Sequence, residues 1–224
     1  MPLLSGHALD GKITEIHDEL VRAIRLTGII TVPSAIAFLL YGPLITRTLF
    51  FGISNADARY LGLVLCAFAT GLLPLSINLI ALRGLNAFEN VKLQVLSNAI
   101  MNIVASLLAF FFALVLPAKW VTVGLAGALA LSYYVGAWTS IRLLRRYKIE
   151  IRTQEIAGLY LRLGAMYAAV ALPLYFIMGH IPGGNTFRLL VVLVFSGLGY
   201  LGLARTFKIA EVGAAFSLFL KRRR

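Results

Sequence analysis

The sequence predicts an all-α fold: a polytopic bundle of six transmembrane helices with both termini in the cytoplasm. Composition is the first reason, since 60% of the 224 residues are hydrophobic and 13% are charged. A soluble globular domain runs at about 45–50% and about 25%. The second reason is that the charged residues fall between long charge-free runs: Leu26–Thr46, Tyr60–Leu82, Leu93–Ala118, Trp120–Ile141, Leu163–Phe187 and Leu189–Ala204. Five of these reach the ~20 residues that a helix needs to cross a bilayer. The sixth is lengthened by Arg188 and Arg205, which reach back toward the interfaces. The third reason is the lack of alternation, which excludes barrel strands.

This composition also excludes intrinsic disorder and a water-soluble enzyme with an ordinary core. The net charge of +12 does not indicate nucleic acid, because the basic residues form no single solvated domain. Lone Cys66 has no disulfide partner and offers no thiolate metal site.

Basic residues set the orientation. Of the 21 Lys and Arg, only Arg47, Arg59, Lys119 and Arg188 fall on one side, and the other 17 fall opposite. That asymmetry over short loops puts the basic side in the cytoplasm. Residues 1–25 are not a signal peptide, because Asp10, Glu15, Asp18 and Glu19 interrupt them. Ile13, Ile16, Leu20 and Ile24 recur at helical spacing and predict an amphipathic helix on the cytoplasmic interface. Residues 26–147 then form a four-helix membrane block, 148–208 the last two membrane helices, and 209–224 a basic amphipathic tail drawn to anionic lipid.

No Asp, Glu, Lys or Arg falls in mid-span, so neither a proton relay nor a buried ion pair is expected. The third span carries Gln94, Asn98, Asn102 and Ser106 at intervals of four. Each step of four advances about 40° around a helix, so the set forms a slanted stripe. Amides in hydrocarbon must be paired or wetted. The stripe therefore either bonds a neighbouring helix or walls a polar path. The fourth span carries Gly124, Ala128, Ser132, Gly136 and Ser140 at the same interval, a seam along which two helix backbones approach closely. Pro33 and Pro43 in the first span, Pro74 in the second and Pro173 in the fifth each remove a backbone donor and favour kinks. Thr70 and Asn78 flank Pro74 as candidates to satisfy the groups it frees.

Gly197, Gly199 and Gly202 spell a dinucleotide-binding pattern, but they lie in a membrane span with no preceding strand. His180 has no second ligand near it, and His7 and His17 read as interfacial residues. With no nucleophile–base pair, no carboxylate pair and no phosphate loop, the chain is expected to be neither an enzyme nor a holder of a metal or organic cofactor.

In order along the chain, several segments resemble the lipid II flippase family (MurJ/MviN), within the larger group of multidrug, oligosaccharidyl-lipid and polysaccharide exporters. Pro2-Leu3-Leu4-Ser5 is similar to the family's Leu-Pro-x-Leu-Ser stretch, and the segment around Pro33 to its next span. Ala81–Lys92 resembles its cytoplasmic turn, with Arg83, Ala87, Asn90 and Lys92 in matching places and Leu93-Gln94 where Thr-Pro is usual. The stripe, the seam and the basic run from Arg142 to Lys148 fit the following hairpin.

A complete family member has about fourteen spans, and this chain resembles the last six. The resemblance implies a bacterial inner-membrane protein that moves a polyprenyl-linked cell-wall precursor by alternating access, together with a missing N-terminal half. That half carries the family's cavity arginines. Asn78, Gln94, Asn98, Asn102, Ser106 and Arg83 are then candidates for the substrate path. Asn98 and Asn102 match a family sodium site with an amide in place of an acid, so sodium or proton coupling stays open. The last two spans would form a groove for the lipid tail. A membrane scaffold that moves nothing, or a carrier of another polysaccharide lipid, are the alternatives. Topology reporters fused to each end are expected to read cytoplasmic; reporters on opposite faces would overturn the six-span reading.

Overall fold

The computed structural model describes residues 13–88 and 90–207. The expected tail at 209–224 lies outside the described residues, as do Pro2-Leu3-Leu4-Ser5 and His7. The described residues form seven α-helices and no strand. These are α1 (Ile13–Leu49), α2 (Asn55–Ala69), α3 (Leu72–Ala87), α4 (Val91–Val115), α5 (Val121–Leu144), α6 (Thr153–Ile177) and α7 (Asn185–Thr206). Because α2 and α3 follow one another almost directly, they make six segments long and apolar enough to cross a membrane.

Local chemistry sets the helix ends. Gly52, at φ 85°, turns the chain after α1, a conformation that costs glycine little. Ser54 then caps α2, accepting the Asp57 N–H at 3.1 Å while its hydroxyl donates to the Asp57 carboxylate at 2.7 Å. Asn90 caps α4 by accepting the Leu93 N–H at 3.3 Å. Leu116 is extended ahead of Pro117, as the proline ring requires.

Two of the expected boundaries move. The charge-free run Leu163–Phe187 overshoots, because α6 ends at Ile177 and a single 3-10 turn, Met178–His180, follows. Pro182 and Gly183, the latter at φ 117°, cannot continue a helix. The second span is broken at Thr70-Gly71, and Pro74 sits in the first turn of α3 rather than inside a kinked helix. The N–H it lacks is the one that would reach back to the Thr70 carbonyl, where the helix is interrupted. α1 and α6 run on through Pro33, Pro43 and Pro173.

The chain divides into two compact units, and these do not follow the serial blocks at 26–147 and 148–208. Within its described residues, unit 1 comprises 13–27 and 70–156, and unit 2 comprises 28–69 and 157–207. In unit 1, α5 packs against α3 and α4. The first turns of α1 belong to this unit. Ile16, Leu20 and Ile24 are only 0%, 1% and 0% exposed, so the apolar face that their spacing assigned to the lipid surface is covered by protein. Gly84 makes room for it, since a Cβ there would come within 2.7 Å of a Leu20 methyl. Around this contact, His17 bonds the Glu150 carbonyl at 3.1 Å, and Glu155 joins Arg25 at 3.4 Å and Arg152 at 3.2 Å.

Unit 2 is built on the rest of α1. Thr46 donates to the Ala58 carbonyl of α2 at 2.7 Å. The two backbones cross at Gly62, where a Cβ would lie 2.7 Å from the Pro43 nitrogen and 2.8 Å from its Cα. Tyr41 and Val192 are 0% exposed at its centre. Tyr41 donates to the Ala171 carbonyl at 2.9 Å and shares a 3.0 Å hydrogen bond with Ser196. Gly62→Ala is expected to destabilise the chain by about 1–3 kcal/mol through overpacking against backbone. Gly127→Ala, with nothing within 4 Å of the new Cβ, should be neutral or stabilising; thermal unfolding in detergent distinguishes the two.

Candidate functional site

The candidate site is the outward flank of α4 and the α3–α5 surface beside it, all within unit 1. α4 packs along α5, and Ser97 is its one buried residue. Met101 and Phe112 are its knobs. A Cβ on Gly136 would meet the Met101 sulfur at 2.9 Å, and a Cβ on Gly124 the Phe112 Cβ at 3.1 Å. The seam of α5 therefore lies on the face turned to α3 and α4, with Ala128, Ser132, Gly136 and Ser140 buried and Gly124 half-buried. Ser132 and Ser140 spend their hydroxyls on their own helix, donating to Leu129 and Ala137 carbonyls at 2.8 and 3.1 Å.

The polar stripe does not share that fate. Its slant carries it off the packed face: Gln94 and Asn98 are half-buried, whereas Asn102 and Ser106 are exposed. No hydrogen bond joins any of the four to another helix among the described residues. The expectation that they glue α4 to a neighbour is thus unmet within this chain. Beside them, Ile103, Leu107, Phe110 and Leu114 are 59–71% exposed and present a surface suited to hydrocarbon. One flank of α4 is polar and the next is apolar.

Asn78 is the candidate that the fold buries, at 1% exposure. Its amide nitrogen donates to the Met101 sulfur at 3.6 Å, and its carbonyl oxygen finds no partner among the described residues, nor does the Ser97 hydroxyl. An unmet buried acceptor costs about 1–3 kcal/mol. Arg83 lies apart from this cluster, exposed near the end of α3. Asn98 and Asn102, the proposed ion pair of ligands, are one turn apart but differ in exposure. No group of three or more His, Cys, Asp or Glu suited to a metal occurs among the described residues.

Sequence reasoning missed the aromatic clasp at the α3–α4 turn. Phe88 stacks on Tyr147 at 4.1 Å between ring centroids, 10° from parallel. Asn90 donates to the Tyr147 hydroxyl at 2.9 Å while capping α4. The signal was present, because Asn90 is a good capping residue, but its partner lies 57 residues away. Pro74 was also misread: the carbonyl it frees is that of Thr70, and the Tyr134 hydroxyl of α5 supplies the donor at 3.0 Å.

A bundle of helices with six segments long and apolar enough to cross a membrane defines a polytopic membrane protein. The profile described as Lipid II flippase MurJ matches residues 1–197, and the chain belongs to that family. A comparison with curated proteins finds no match. Asn90→Ala is expected to lower stability by about 1–2 kcal/mol through loss of the cap and the Tyr147 bond. Arg83→Ala should stay within about 0.5 kcal/mol, both read as midpoint shifts in detergent.

Proposed function

We propose that this chain forms part of a carrier that moves a polyprenyl-linked peptidoglycan precursor across the bacterial inner membrane by alternating access. In this reading the α4 flank is one wall of the aqueous cavity that shields the hydrophilic head group. The observation that carries it is that Gln94, Asn98, Asn102 and Ser106 bond no other helix among the described residues, with Asn102 and Ser106 exposed. Amides are not stable against hydrocarbon, so this flank meets water, substrate or a further protein surface. Membership of the lipid II flippase family favours the first two.

The chain brings no mid-span charge to bind a pyrophosphate. The charged contacts are assigned to a second half, like the one the family resemblance implies, carried on the same polypeptide or another. The residues here then line the cavity, exclude lipid and hold no covalent intermediate. Asn78 contributes a polar backing to the wall at the α3–α4–α5 junction. For a coupling sodium ion, Asn98 and Asn102 offer amide oxygens and no carboxylate.

Cells depleted of their own flippase test the reading. The chain expressed with a flippase N-terminal half is expected to restore growth, and the chain alone is not. Replacing Asn98, Asn102 and Ser106 together by Leu should reduce rescue at least ~10-fold, about 1.4 kcal/mol, at unchanged membrane abundance. With Cys66 first changed to Ser, single cysteines at Asn102 and Ser106 should react with a membrane-impermeant, water-soluble thiol reagent, and cysteines at Leu107 and Leu114 should not. Equal protection of all four, with rescue unaffected by the Leu variants, would favour a scaffold that moves nothing.

A further inference from the structure

The chain passes between its two units three times, at Thr27/Gly28, Ala69/Thr70 and Ile156/Ala157. Two of these passages coincide with backbone turns that a proline has weakened. In an α-helix a proline leaves the carbonyl four residues earlier without its donor. Pro33 does so to Ile29, two residues past the first passage, and Pro74 does so to Thr70, at the second. Each of these carbonyls is held by a tyrosine hydroxyl from another helix of its own unit. Tyr200 donates to Ile29 at 3.1 Å in unit 2, and Tyr134 donates to Thr70 at 3.0 Å in unit 1. The third passage lies in the first turn of α6, where the Ile156 N–H reaches the Arg152 carbonyl at a long 3.5 Å.

We infer that these turns are hinges about which the two units rotate, and that the Tyr200 and Tyr134 hydroxyls are the latches that hold them. A side-chain donor can swing away while the rest of the helix keeps its hydrogen bonds, so each latch opens at the cost of a single bond. Pro43 provides the internal contrast. Its freed carbonyl, Leu39, is met by the Cys66 thiol at 3.5 Å, but it lies well inside unit 2, where bending would break packing on both sides. Tyr200 is further fixed by an edge contact with Tyr167, with ring centroids 5.8 Å apart, so its ring stays in place when the hydroxyl is removed. The hinge does not depend on what the protein carries.

The test uses the full chain in lipid nanodiscs, with Cys66 changed to Ser to keep a donor at Leu39. Spin labels are placed at Arg146 in unit 1 and Phe51 in unit 2, both exposed, and their separation is read by pulsed dipolar spectroscopy. Tyr200→Phe is expected to raise the population of displaced distances roughly fivefold, the factor that one net hydrogen bond represents. Pro33→Ala, which restores the backbone N–H at that turn, should abolish the effect of Tyr200→Phe. Pro74→Ala should do the same for Tyr134→Phe. A label pair within unit 2, at Phe51 and Phe176, should not change in any variant. The proposal is overturned if the distances ignore the tyrosine variants, if the alanine variants fail to rescue, or if the unit 2 pair shifts. Should a tyrosine variant fail to fold, Pro33→Ala alone must narrow the distribution between Arg146 and Phe51, and an unchanged width overturns the hinge.

Discussion

Hydrocarbon offers no hydrogen-bond partner, and every proline inside a membrane helix leaves a carbonyl in need of one. At Pro33, Pro43 and Pro74 that need is met from a neighbouring helix. Ile29, Leu39 and Thr70 lose their donors to Pro33, Pro43 and Pro74, and each is supplied by a side chain from a neighbouring helix: Tyr200, Cys66 and Tyr134. These contacts do two things at once. They satisfy the backbone, and they dictate which helices lie side by side, because a donor on the wrong neighbour would leave the carbonyl bare.

Close approach is the second organising feature. In lipid the apolar side chains gain little by leaving one hydrocarbon environment for another, so helices associate through contact area and small residues. Gly62 against Pro43, Gly136 against Met101 and Gly199 against Val170 are such contacts. α4 takes part through Met101 and Phe112 on α5, although Ser97 is its one buried residue. Its outer side is left open, and Asn102 and Ser106 stand exposed there.

The functional reading follows from that flank. The family is that of the lipid II flippases. In the proposed reading, the neutral amides of that flank offer hydrogen bonds to a polar cargo without the desolvation penalty of an ion.

Length and charge placement alone determined the number of membrane segments and their all-helical nature, because both are one-dimensional properties that a bilayer reads directly. The spacing of Gly124 to Ser140 likewise disclosed a packed seam, and the four-residue interval of Gln94 to Ser106 disclosed a stripe. Only the tertiary structure decided which way each faced, since periodicity states that a helix has a distinct side but not what stands opposite. The same limit explains why Ile16, Leu20 and Ile24 looked like a lipid-surface face and proved to be core. Gly84, against which Leu20 packs, lies sixty-four residues away. It also explains Pro74, where local reasoning looked to Thr70 and Asn78 for a donor that Tyr134 supplies from another helix. What the chain spells out locally is the need for a partner, and which partner answers is settled by helices meeting in space.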